Sequence, residues 1–415
     1  MTRNKIAIFH PEGNIGSNVN IKAIVTLLIK YGYSIDYIHH PTDSVHDLHD
    51  ISGFADITIP AQLPLSCFGT SWNFCIGIDA GVCNAAKIYK SAKIPFIFLS
   101  YEIFFLDEAK TSEEKELILG IKKAAQLACA AISQDEVRAN SLQREYELTC
   151  PILKIPVAGT GCIPFKKSNL LHERCHIPAD KKILLHMGSL DSWTMADWLA
   201  SNADRLPEDW AVVFHGRYGI KKDLFPQHKK IFYSRIPAKT ADELKEIIHS
   251  ADCCAVLYKP TYKNIFTGRN IAEIGLASTK FSTALQHGIP VIINDSKEMY
   301  SLVIKENCGV FIDTNSTYPF QNIKSIQKLK NQSCYHAFST YLDIQNTFKD
   351  LIKIITDNSA KKAIIYSPEI DKKQILKAIK GLSSIGLVSV IISTCLLICT
   401  KFLAKIKKYL SNGCS

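Results

Sequence analysis

The chain has 415 residues, 47% hydrophobic and 21% charged, with a net charge of +10; this excludes a disordered chain and leaves room for two ordinary domains. The positive charge does not mark a nucleic-acid surface, because residues 371–415 hold eight lysines against one aspartate and flank an apolar run, a pattern suited to anionic lipid. The fourteen cysteines sit in apolar runs such as DCCAVLY, with no CxxC pair, and read as reduced core thiols rather than a disulfide or metal framework.

The opening MTRNKIAIF runs straight into a strand without an apolar segment of signal-peptide length, so the globular part is expected to face the cytoplasm. A strand over residues 5–10, the turn PEGNIGSN and a helix over 19–31 form the start of a doubly wound α/β domain. Gly13 and Gly16 permit close backbone approach to a ligand, or simply a tight turn. The spacing is not GxGxxG, which removes a nicotinamide fingerprint. A second strand over 34–39 leads into HHPTDSVHDLHD, whose His and Asp residues lack a ligand spacing and read as a solvated loop rather than a metal site.

The strand FCIGID ends at Asp79, and a helix over 82–91 with a strand over 94–99 completes a βαβ unit. Ser100-Tyr101-Glu102 then falls at the carboxyl edge, where open α/β sheets bind ligands. Glu102 and Asp79 are the candidate catalytic carboxylates. Glu102 reads as a general base or as an orienter of an acceptor hydroxyl, against the alternative of a strand-end glutamate facing water. Helix 111–128, strand 130–133 and the helix start QDEVRANSL follow; capping and a local ion pair account for Asp135 and Arg138. A last strand over 152–157 precedes AGTGCIPFKKSN, a linker that places a domain boundary near residue 165.

The second half begins again with a strand, KKILLHM, followed by Gly188 and Ser189. Further strands are expected over 210–215, 231–234 and 251–258. The first of these ends beside Arg217, placed to pair with a phosphate or with a surface carboxylate. In NIAEIGLASTKFSTALQHGIPVIIND, a helix starting at Ser278-Thr279-Lys280 offers free N–H groups, a positive dipole end and an ammonium at one point, which suits a diphosphate. The Gly288-Ile289-Pro290 break leads into a buried strand over 291–293, and helices are expected over 327–358. Residues 381–400 carry no charge for twenty residues, a length matching the ~30 Å hydrocarbon core at 1.5 Å per residue. A single carboxyl-terminal membrane helix is expected there, with an interfacial helix as the alternative, since serines, threonines and Gly386 dilute its hydrophobicity.

Ser278-x-Lys280-Phe281 followed by Leu285-x-x-Gly288-x-Pro290-Val291 resembles the donor-binding segment of GT-B glycosyltransferases, particularly the family 4-like enzymes. SYE, QDExR and the two glycine loops support the likeness, which spans about residues 1–350. Many retaining members carry two glutamates separated by seven residues here. This chain has Glu273 with Phe281 at that offset, and Thr283 where the second glutamate is expected, so the stereochemical outcome stays open. Glu102 stands where many relatives put a histidine.

The resemblance implies two Rossmann-like domains, an acceptor-side domain over 1–165 and a donor domain over 166–350. A basic juxtamembrane segment over 351–380, the membrane helix over 381–400 and a basic tail over 401–415 follow. It implies a nucleotide-sugar donor held by Gly13, Gly16, Gly188, Ser189, Arg217, Ser278 and Lys280, without metal or cofactor. The acceptor is expected to be amphiphilic: a lipid-linked saccharide, a glycolipid or a surface polysaccharide precursor. Residues 381–400 with their flanking lysines are expected to engage membrane lipid, with the catalytic domains in the cytoplasm. A non-catalytic scaffold of the same fold and a sugar-nucleotide epimerase are the rivals.

Overall fold

The computed structural model describes residues 4–359 except 43–46, 60–69, 217–218, 221–224, 226–227, 295 and 330, together with 364–366. The first half builds an all-parallel sheet from β1 (Lys5–Phe9), β2 (Ser34–His39), β3 (Phe54–Thr58), β5 (Phe74–Ile78), β6 (Phe96–Leu99), β7 (Ala130–Ser133) and β8 (Ile152–Lys154), in the order β3-β2-β1-β5-β6-β7-β8. The short β4 (Thr70–Trp72) stays outside it and pairs antiparallel with Ile364–Tyr366. The second half builds a parallel sheet from β9 (Lys182–Met187), β10 (Trp210–His215), β11 (Ile231–Ser234), β12 (Cys253–Val256), β13 (Val291–Ile293) and β14 (Gly309–Phe311), in the order β11-β10-β9-β12-β13-β14. Two Rossmann-like sheets are therefore present.

Parallel strands buried on both faces need apolar side chains on both, and β1 shows it. Ile6 and Ile8 pack toward the helix Val19–Lys30 with Ile21, Ile24 and Leu28, while Ala7 and Phe9 pack with Val82 and Phe98 on the opposite face. Strand β3 escapes a pattern search because its residues are largely exposed at the sheet edge. Helix ends follow local chemistry. Thr111 and Glu114 form a capping box at the start of Ser112–Ala125, and Asp135 caps Glu136–Tyr146 through Arg138 N (2.9 Å).

Each sheet reverses its strand order once, and a crevice opens at the carboxyl ends of the strands there. In the first domain the reversal lies between β1 and β5, followed by the loops that carry Glu12-Gly13 and Asp79. In the second it lies between β9 and β12, followed by Gly188-Ser189 and Tyr258. The helix Phe348–Asn358 returns to the first domain, where Phe348 packs on Tyr31 and the Tyr33 hydroxyl meets Thr356 Oγ1 at 3.3 Å. Among the described residues no helix is long and apolar enough to cross a membrane. The expected membrane helix over 381–400 and its flanking lysines lie outside the described residues.

Candidate active site between the two sheets

On the second domain the site starts from the helix Thr279–Gln286. Ser278 caps it, accepting from Phe281 N at 3.1 Å, and its hydroxyl meets Tyr258 OH at 2.7 Å. The first-turn residue Lys280 is turned inward, only 9% exposed, and its Nζ has no hydrogen-bond partner among the described residues. Nζ lies 5.6 Å from the centre of the Tyr258 ring, and a Cβ on Gly188 would stand 3.5 Å from Lys280 Cε. Gly188 has φ +92°, so the chain turns there where a side chain would be strained. Burial pulls the Lys280 ammonium down to about 7, opposed by the charge of Asp191. His186 is fully buried at the end of β9. Its Nε2 donates to the Thr194 carbonyl at 2.9 Å, and burial with the Lys280 charge keeps the ring neutral. Ser189 donates to Asp191 at 2.5 Å. Gly188, Ser189, Ser278 and Lys280 thus converge on one crevice; Arg217 lies outside the described residues.

On the first domain Asp79 stands at the end of β5 with φ +44°, a left-handed backbone rare for a non-glycine residue. Its Oδ1 accepts from Tyr101 N (2.8 Å) and Glu102 N (3.1 Å), locking the loop after β6 to the loop after β5. Burial, then the Glu102 charge, pushes the Asp79 carboxyl well above the ordinary range. Burial also raises Glu102, opposed by the Arg138 charge and by a hydrogen bond from Asn270 Nδ2. Glu12 adds its charge to both carboxyls. Gly13, at φ +63°, has its open side filled by the molecule itself: a Cβ there would stand 2.4 Å from His39 Nδ1. Gly16 is exposed in the one-turn helix Ile15–Ser17.

The two clusters are brought together by Asn270 of the second domain, whose Nδ2 donates to Glu102 of the first. The residues that join them have no cross-domain role in the sequence reading, where Asp135 and Arg138 read as a cap and a local ion pair. Asn270 and Arg138 are 3% and 2% exposed and bond across the domains. Glu273 is drawn to Ser141 and Arg144 on the first domain rather than into the crevice. Asp135 caps its own helix and also accepts from Leu276 N of the second domain at 2.5 Å. In sequence Asn270 is an ordinary polar residue near a helix start, and the QDExR run and Glu273 carry a likeness without showing that they meet across the domains.

No protein-family model and no curated protein sequence matches the chain. Solved structures do. Sucrose-phosphate synthase from Thermosynechococcus elongatus superposes with a TM-score of 0.62 at 14% identity, covering 86% of this chain and 99% of that one. Anabaena HepE in complex with UDP-glucose gives 0.61 at 11% identity, covering 85% and 99%. WaaG, a glycosyltransferase of lipopolysaccharide biosynthesis, gives 0.54 at 12% identity, covering 85% and 99%. With two parallel Rossmann-like sheets whose crevices face each other, the chain has the GT-B fold of glycosyltransferases.

Proposed function

We propose that this protein is a glycosyltransferase, similar to the family 4-like enzymes, that moves a sugar from a nucleotide-sugar to a hydroxyl of an amphiphilic acceptor. The observation that carries the reading is the Lys280 ammonium, buried without a hydrogen-bond partner among the described residues, beside the Gly188 turn and in the first turn of a helix. A buried charge without a counterion is costly, and a diphosphate entering the crevice supplies one while accepting from the free N–H groups of the helix start. HepE, whose solved complexes hold UDP-glucose and UDP, supports a uridine donor as the first to test.

In this reading Glu102 takes the proton of the acceptor hydroxyl as its oxygen bonds to the anomeric carbon. The sugar–phosphate bond breaks, and the electron pair leaves with the nucleoside diphosphate, whose charge Lys280 and the helix start balance without a metal. Asp79 holds the backbone of Tyr101 and Glu102 and thereby aims the base. Gly13, Gly16, Ser189 and Arg217 are proposed to line the donor, and Ser278 to shape its helix. An acceptor in the bilayer accounts for the apolar run over 381–400, taken as a single carboxyl-terminal span or interfacial anchor with the catalytic domains in the cytoplasm.

The reading is tested by calorimetric titration with UDP, GDP and ADP and their sugars, followed by assay of nucleoside diphosphate release with a membrane lipid extract. Release that depends on the lipid extract is the expected outcome. Binding without release identifies a scaffold, and isomerised sugar without acceptor identifies an epimerase.

A further inference from the structure

The segment from Gly268 to Lys280 touches the first domain along most of its length. Arg269 N donates to Glu108 at 2.9 Å, Asn270 meets Glu102, Glu273 meets Ser141, and Leu276 N donates to Asp135. Asn270 is the most heavily bonded of these. Its Nδ2 donates to Glu102 Oε2 and to the Phe266 carbonyl at 3.1 Å. Its Oδ1 accepts from Ile103 N at 3.0 Å and from Arg138 Nη2 at 3.0 Å, while its carbonyl accepts from Arg138 Nη1 at 3.1 Å. Arg138 also donates to the Tyr101 carbonyl at 2.7 Å and to Gln134 at 2.7 Å, and Gln134 donates to the Ser100 carbonyl. One carboxamide from the donor domain therefore grips the loop and the carboxylate of the acceptor domain together.

We infer that Asn270 is a positioning residue that makes Glu102 a competent base only when the two domains are joined, so that the segment bearing Lys280 reports assembly of the donor side to the carboxylate on the other. This rests on the reading of Glu102 as base. A hydrogen bond donated to a carboxylate favours its charged form, and Asn270 supplies one that Glu102 lacks once the domains part. The other charged or titratable groups acting on or facing Glu102 are Arg138, which also favours the charge, the carboxyls Glu12 and Asp79, whose negative charge opposes it, and the Tyr258 phenol, which burial holds in its neutral form. Because the Asn270 contact is made across the domain boundary, domain separation removes it. At 3% exposure the Asn270 amide is pinned at both of its polar ends.

The test is the pH profile of kcat/KM for nucleotide-sugar turnover in the full chain, wild type against Asn270→Ala and Asn270→Asp. The aspartate keeps the oxygen that serves Ile103 and Arg138 but replaces the donated N–H with a second negative charge. We expect the acidic limb to move up by about one pH unit in N270A and further in N270D, with donor KM within about twofold of wild type. A rate loss uniform across pH, or an unmoved acidic limb in whichever variant retains the wild-type unfolding temperature, overturns the inference while leaving the transferase reading intact. No turnover by wild type with any nucleotide-sugar overturns the transferase reading, and with it the inference that rests on it.

Discussion

Lys280 is buried with no hydrogen-bond partner for its Nζ among the described residues, and that state has measurable consequences. Its pKa in the fold is about 7 against 10.5 for an ordinary lysine, so the folded protein sheds this proton well before the unfolded chain does. Below pH 7 the cost of the buried charge is complete. Between about 7 and 10.5 the unfolded chain holds more protons, so stability of the ligand-free protein climbs with pH, by at most about 1.4 kcal/mol per unit. Lys280→Met removes that climb in denaturant melts at successive pH values, and stabilises the empty protein at neutral pH. The same variant weakens UDP binding by roughly 10- to 100-fold, the worth of one hydrogen bond to a charged group. Wild type takes up a proton on binding UDP above pH 7, visible in calorimetry as a dependence on the buffer's ionisation heat; its absence would detach Lys280 from the ligand.

The helix Thr279–Gln286 matters as an element because everything near the crevice is referenced to it. Its start is held by Ser278 and Tyr258, its middle by Ser282 donating to the Val157 carbonyl at 2.6 Å, and its end by Gln286 reaching the Thr160 and Gly161 carbonyls. The linker between the domains is thereby fastened to the helix that presents Lys280. Ser278→Ala removes the cap and leaves the Tyr258 hydroxyl without that partner; a stability loss of about 1–2 kcal/mol is expected in chemical denaturation. Gly288 ends the helix at φ +71°, and a Cβ there would lie 2.6–2.9 Å from the Tyr335 ring. The Gly-Ile-Pro break is thus a requirement of both backbone and packing.

At the scale of the whole molecule, the two halves are joined by a linker, by the Arg138–Asn270 contacts and by the returning helix Phe348–Asn358. That helix buries Phe348, Leu351 and Ile355. Removing the chain after residue 347 exposes the surface of the first domain around Tyr31 and Tyr33. It should lower the unfolding temperature by several degrees and spread one calorimetric transition into two as the domains uncouple. A single sharp transition at the wild-type temperature would show that the helix contributes no brace.

Local chemistry determined much of this protein in advance. Period and capping alone predict helix 19–31, observed as Val19–Lys30, and the strands Ser34–His39, Ala130–Ser133, Trp210–His215, Ile231–Ser234 and Val291–Ile293 at the expected bounds, because each is set by neighbours in the chain. The glycine turn at Gly188 and the helix start at Lys280 were also legible, since a turn and a helix end are local events. Only the tertiary structure decided which groups meet. Nothing in sequence distinguishes Asn270 from any polar residue in a loop, yet its carboxamide is flanked by residues from positions 102, 103 and 138. Asp135, read as a helix cap, does cap its helix and also bonds Leu276 N of the other domain. Arg138, read as part of a local ion pair, directs its guanidinium to Gln134, Tyr101 and Asn270, and Gly13 answers to His39. Contacts over such separations depend on how two sheets pack, and no periodicity within one segment carries that information.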